Sequence, residues 1–306
     1  MGSPMVTIGL PFYNNESTLL DAVRSIFAQT VQDWELVLLD DGSTDNSLEV
    51  ARSIDDPRVR VISDGNNLKL AARLNQIHRE ARGVYVARMD ADDMMHPQRL
   101  EKEIAVLTEH PDVDVVGSLM YMMSAPYEVY GVGAGGIAGR EYHPSELLGK
   151  VALMHPTIMG RPQWFLDNPY DETWARAQDS ELWCRTCRHS KFTQINEALY
   201  LYPVHADETN PDLVGGFLRR MVFRRRLLRD YGPQLVGWPG TIVRYARTYV
   251  HAGLYRAFGL FHIEDRLVRH NSRPLSLEEQ ADVAAAIERI RNTPVPLKGA
   301  GAVASA

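Results

Sequence analysis

Residues 6–47 read VTIGLPFYNNESTLLDAVRSIFAQTVQDWELVLLDDGSTDNS. Two short apolar runs, VTIGL and WELVLLD, flank a stretch from Thr18 to Gln29 whose apolar residues recur at helical spacing. Nearly continuous β-branched runs of this length suit strands buried on both faces, as in a parallel sheet. The pattern repeats. RVRVIS and GVYVARM supply two more strand-like runs, Asp45 to Ile54 and Leu68 to Ala81 read as helices, and DVDVVGS gives a fifth strand after a helix starting near Pro97. Alternation of strand and helix over about 120 residues specifies an open, doubly wound α/β sheet with short right-handed crossovers. Ligands bind such sheets at the carboxyl ends of the strands.

The whole chain has 306 residues, 45% hydrophobic, with a net charge of −6. At ~150 residues per domain this is one large domain or one domain with an appendage. The charge is too mild to call for a nucleic-acid partner. MGSP ahead of Met5 reads as a tag remnant, and Met5 to Leu10 lacks the basic region and cleavage site of a signal peptide. No window reaches the ~20 apolar residues of a bilayer span, so the expected compartment is cytoplasmic. Cys184 and Cys187 are the only cysteines. Lying inside a helical pattern and without two further ligands, they read as ordinary thiols, neither a redox pair nor a zinc site.

Polar clusters follow three of the strands: PFYNNEST after the first, DDGSTDNS after the second, DADD after the fourth. Neither a Gly-x-Gly-x-x-Gly turn nor a Gly-x-x-x-x-Gly-Lys loop is present to cradle phosphate. A divalent cation bridging phosphate oxygens is the remaining route, and hard cations such as Mg²⁺ and Mn²⁺ take carboxylate oxygens. Asp90 and Asp92, two apart at a strand end, project to one side and can share a ligand field. Asp93 reads as the cap of the following helix.

These motifs occur in a fixed order with HPTIMG, AQDSELWCR and YPVHADETN. Together, over roughly residues 5–210, they resemble glycosyltransferase family 2. The resemblance implies a GT-A fold, Rossmann-like with a mostly parallel central sheet, and inverting transfer from a nucleotide-diphosphate sugar. It implies that Pro11, Tyr13, Asn14 and Glu16 contribute to the nucleotide pocket. Asp40 and Asp41 would bind base and ribose, with Asp41 favoured for a uracil-like edge and hence a UDP-sugar. Lys69 and Arg73 would lie near base or phosphate, Asp90 with Ala91 at the ribose or diphosphate, and Asp92 with His205 on the metal, Mn²⁺ or Mg²⁺. Asp179 takes the place of the general base, with Glu181 as second choice. Family members usually carry Glu-Asp where this chain has Gln178-Asp179, so one neighbouring charge is missing. The acceptor would be a hydroxyl of a glycan or lipid-linked saccharide, in bacterial surface polysaccharide synthesis. Two other classes compete. A sugar nucleotidylyltransferase needs a Gly-rich basic loop where PFYNNEST stands, and a non-catalytic scaffold needs loss of Asp92 or Asp179.

His155 reads equally as a structural or an acceptor-side histidine, and Trp183 as core. Met120, Met122, Met123, Tyr121 and Tyr127 fit a packed edge or an acceptor groove. YGVGAGGIAGREYHP, within residues 121–150, is non-periodic and reads as a connection or a mobile flap. Residues 211–292 form a helical C-terminal region. Between Phe217 and His270 it holds 11 arginines and no lysine against Asp230, Glu264 and Asp265. Such a segment either lies at a membrane's inner face or packs on the catalytic domain. Residues 293–306 read as a disordered tail.

Overall fold

The computed structural model describes residues 2–125, 127–133, 135–204, 213–260 and 272–299. Strands β1 (Val6–Phe12), β2 (Trp34–Asp40), β3 (Val59–Ser63) and β4 (Tyr85–Arg88) form the parallel part of the sheet. Between them run helices α1 (Leu19–Phe27), α2 (Ser47–Arg52) and α3 (Lys69–Glu80). Every residue of β1, β2 and β4 is buried, which is why their sequences are continuous rather than alternating. Helix α1 turns Leu19, Ala22, Val23 and Ile26 into the core.

Beyond β4 the sheet changes character. β5 (Met94–Met95), α4 (Arg99–Glu109), β6 (Val115–Ala125), β7 (Glu128–Gly133), β8 (Met159–Gly160), α5 (Pro162–Asp167), α6 (Gln178–Thr186) and β9 (Phe192–Pro203) follow. β8 pairs antiparallel with both β4 and β6, and β9 runs parallel to β6. Along the main path the order is β7-β6-β8-β4-β1-β2-β3, with β10 (Ser272–Arg273) beside β7. The architecture is a mixed α/β, Rossmann-like sheet whose parallel carboxyl ends open on one side.

Three expectations change. The start of the Gly-rich stretch is no loop: β6 and β7 pair as bulged antiparallel strands, with Met120, Tyr121 and Met123 buried and the Tyr121 hydroxyl donating to Asp282. These side chains are a packed edge, not a groove floor. The Gly-rich stretch beyond is held as well, because Ile137, Ala138, Leu147 and Leu148 enter the core. Nor is the chain loose from residue 293: Leu297 bridges Ile54, Asp55 N–H donates to Pro296, and Lys298 N–H donates to Ser53.

The last two helices serve different places. α8 (Leu277–Asn292) opens with a Ser276–Glu279 capping box and buries Val283 and Ile290 near Tyr121 and Ala28. α7 (Leu213–Leu260) is broken at Gly237, whose φ of 68° only glycine adopts cheaply, so two arms (213–236 and 238–260) fold back on each other. The first arm packs on the α/β domain through Leu227, Leu228 and Leu235, and Arg226 donates to Thr173. The second arm packs on the first: Tyr245 donates to the Arg225 carbonyl, and Arg225 stacks on Tyr249. Among the described residues no helix is long and apolar enough to cross a membrane.

Candidate active site

Register alone brings the acids together. Phe12 at the end of β1 faces Asp40 at the end of β2, and Gly9 faces Arg88 at the end of β4. The three polar clusters therefore leave adjacent strands on the same edge. Gly42 makes the turn after β2 with φ of 75°, and a Cβ there would meet Asn66 backbone at 2.9 Å.

The nucleotide-side residues divide into those that build the wall and those that face outward. Pro11 is buried within β1. The Asn14 carboxamide accepts from Thr44 N–H at 2.8 Å, and Glu16 accepts from Asn46 N–H at 3.0 Å, so these two side chains tie the first polar loop to the second. Tyr13 is half exposed beside them and offers an aromatic face. Asp40 is buried and accepts from Ser43 N–H and the Ser63 hydroxyl. Asp41 is held more elaborately, by the backbone N–H groups of Leu68 (2.7 Å) and Lys69 (3.2 Å) and by Arg73 Nε (2.9 Å).

Arg73 is fully buried, and all five of its N–H donors are engaged, by Asp41, Asp64, Gln76 and the Asn66 carbonyl. It has no donor left for a phosphate. Arg73, expected near base or phosphate, is here committed to the wall on which Asp41 sits. Lys69 is exposed at the start of α3 with a φ of 73°, a left-handed conformation unusual for lysine.

At the end of β4, Arg88 reaches Asp90 at 2.6 Å. Ala91 is buried, while Asp90 and Asp92 are half-buried. Burial raises the Asp90 pKa, the Arg88 charge opposing it and the Asp92 charge adding to it. Asp90 N–H donates to the Tyr200 hydroxyl. Asp93 departs from its expected role. α4 begins six residues later, with Gln98 at its N-cap and no side-chain cap, whereas Asp93 is buried because β5 pairs with β9 immediately after it. Its carboxyl is pushed well above the usual range, first by burial and then by Asp90 and Asp92.

Asp179 sits in the first turn of α6, half-buried, next to Arg88 in charge terms. Burial raises its pKa, with the Ser180 N–H and the Arg88 charge pulling the other way. Glu181, the second choice for a base, is already engaged: Arg185 Nε donates to it at 2.8 Å and the Tyr231 hydroxyl donates to the same oxygen. It fastens α7 to α6. His155 shares a 2.8 Å hydrogen bond with Tyr170 and lies near Arg88, and burial with that charge keeps the imidazole neutral. Trp183 is fully buried core, and Cys184 and Cys187 are free thiols whose pKa values burial raises.

The sequence reading passed over Arg88. It is 6% exposed, and its Nε and Nη1 find no hydrogen-bond partner among the described residues. Its charge is felt by Asp90, Asp93, Asp179 and Tyr170. The available signal was its place two residues before Asp90, on the same side of the strand.

A hard cation fits this edge in part. Asp90 and Asp92 are adjacent oxygen donors whose like charges raise the cost of burial, and a cation would relieve it. Among the described residues no three His, Cys, Asp or Glu side chains already converge on one point. His205 lies outside the described residues.

Comparison with known proteins agrees with this arrangement. Residues 7–159 match the profile of Glycosyl transferase family 2. EpsE of Bacillus subtilis (strain 168), which carries a glycosyltransferase name, is 33% identical over 204 residues, covering 64% of this chain and 72% of that one. Hyaluronan synthase of Pasteurella multocida is 29% identical over 69% of this chain, but the match spans only 22% of the synthase. Staphylococcus aureus TarS residues 1–349, solved with UDP, superposes with a TM-score of 0.56 at 19% identity, over 95% of this chain and 82% of that one. Mannosyltransferase PcManGT of Pyrobaculum calidifontis, solved with GDP-Man and Mn²⁺, gives 0.54 at 17%, over 94% and 87%. The shared fold is GT-A, and with half its length matching the profile, the chain belongs to glycosyltransferase family 2.

Proposed function

We propose that the chain is an inverting, cation-assisted transferase that moves a sugar from a UDP-sugar to a hydroxyl of a glycan or lipid-linked acceptor. The observation that carries this reading is the buried guanidinium of Arg88, two of whose nitrogens find no partner among the described residues, ion-paired to Asp90 and with its charge felt at Asp179. It joins the donor-side acids to the one acid in the α6 turn whose carboxylate is not committed to another element.

Asp179 would take the proton of the acceptor hydroxyl. The acceptor oxygen forms its bond to the anomeric carbon as the bond from that carbon to the diphosphate oxygen breaks. UDP departs with the bonding pair and the configuration inverts. General-base help of this kind supplies on the order of 10²–10⁴-fold. A divalent cation held by Asp92, with Asp90 beside it, would neutralise charge on the leaving diphosphate. Asp41, clamped by Arg73 and two backbone N–H groups, would lie beside the base, and the half-exposed Tyr13 would offer it a stacking face. A UDP donor is supported by Asp41 and by the UDP and UDP-GlcNAc complexes of TarS. Cation use is supported by the carboxylate pair and by the Mn²⁺ of PcManGT.

The test is a panel of nucleotide sugars with and without Mn²⁺, read by proton NMR of the released or transferred sugar. Inverted configuration and loss of turnover in EDTA are expected. Retained configuration would overturn the single-displacement mechanism, and full turnover in EDTA the cation.

A further inference from the structure

We infer that the outer arm of α7 is a membrane-interface surface that seats on an anionic bilayer. This arm turns Thr241, Tyr245 and Thr248 toward the inner arm. Away from them the arm carries Trp238 (70% exposed), Ile242, Val243 and Val250, all exposed, and Tyr249 is exposed at the seam where Arg225 of the inner arm stacks on it. Positions 238, 242 and 249, with 243 and 250, fall on one side of a helix. Contiguous apolar exposure of this size is unusual for a surface that meets only water. Trp and Tyr among branched aliphatics, on a helix too polar to span, is the composition of an element lying in the headgroup region.

Charge selects the occupant. Arg247 is exposed beside the apolar face and Arg244 is half-buried, and no described carboxylate pairs with either. Arg224 stands close to Arg244, and its Nε lacks a partner. Two copies packed through this face would bring these guanidiniums together, whereas anionic headgroups would satisfy them. The inner arm is fastened to α6 by Tyr231 and Glu181, two residues beyond Asp179. A bilayer on the outer arm is thereby coupled to the element bearing the base, which suits an acceptor carried by a lipid. That meaning rests on the transferase reading; the surface does not.

The test uses the full chain and no nucleotide sugar. It measures co-sedimentation with phosphatidylcholine vesicles, with and without phosphatidylglycerol, and tryptophan emission. The other four tryptophans are buried, so Trp238 reports the face. Expected are binding to phosphatidylglycerol vesicles that weakens with salt, and a blue shift that Trp238→Phe abolishes while still sedimenting. Partitioning should fall ~5-fold for each of Arg244→Gln and Arg247→Gln. Donor hydrolysis without vesicles should be unchanged in both. Absence of binding, or binding without a Trp238 shift, would overturn the proposal. So would a dimer that Ile242→Ser dissociates, or shielding of Trp238 from acrylamide in the free chain.

Discussion

Replacing Arg73 with alanine tests whether this residue builds the nucleotide wall or binds ligand. The side chain is fully buried with five donors engaged, and its buried partner, Asp41, is nearly as buried. Breaking a buried pair by removing one member costs ~3–5 kcal/mol, because the other charge stays behind. Asp41 keeps two backbone N–H donors, at 2.7 and 3.2 Å, which places the loss near the lower end, ~3 kcal/mol. At ~2–4 °C per kcal/mol for a domain of this class, Tm should drop by about 6–12 °C. Asp64→Asn should do far less, because Asp64 is exposed and screened. Urea unfolding followed by circular dichroism gives the stabilities, and calorimetric titration gives UDP affinity, which should fall ~10-fold or more with the collapse of the 64–69 loop. The Arg73 hydrogen bond holds the Asp64 carboxyl down to about 2 from 3.8. Its folded value is the lower one, so the stabilisation from that pair is full above pH 4 and lost as pH falls toward 2. An Arg73→Ala protein as stable as wild type, or one that merely loses phosphate affinity, would refute the wall.

Turnover should fall as pH drops through a carboxyl titrating above the ordinary range, because burial raises Asp179 and a base must be ionised; a rate profile flat down to pH 4 contradicts this. Glu181→Gln should lower stability by ~1–3 kcal/mol, through the broken Arg185 and Tyr231 contacts, while the chemical step in single-turnover kinetics changes little. Asp92→Asn should weaken Mn²⁺-dependent UDP binding and leave metal-free UDP binding near its wild-type value, both measured by titration calorimetry. Equal loss in both would place Asp92 on the nucleotide instead.

The parallel half of the fold was legible because buried strands write themselves as unbroken β-branched runs, and β1, β2 and β4 are buried along their whole length. The β6–β7 pair was not. Its register shifts and glycines erase the period of two, and what holds it is Asp282, about 160 positions away. The order of residues 293–299 was not legible because their anchors are backbone hydrogen bonds to residues 53–55, which leave no side-chain signature. At the site, the acids could be listed from sequence but not sorted. Only the pairing of β5 with β9 shows that Asp93 is buried, and only the Asp64 contact shows that Arg73 has no donor to give. Glu181 and Asp179 look equivalent as letters in AQDSELW, and Tyr231, 50 residues on, tells them apart.

The central claim is that Asp179 is the base and Asp41, Asp90 and Asp92 hold the donor. The direct measurement pairs transfer rate with UDP affinity in Asp179→Asn. A rate lower by ~10²–10⁴-fold with UDP affinity unchanged is expected. Full turnover, or UDP affinity lost along with the rate, would contradict it.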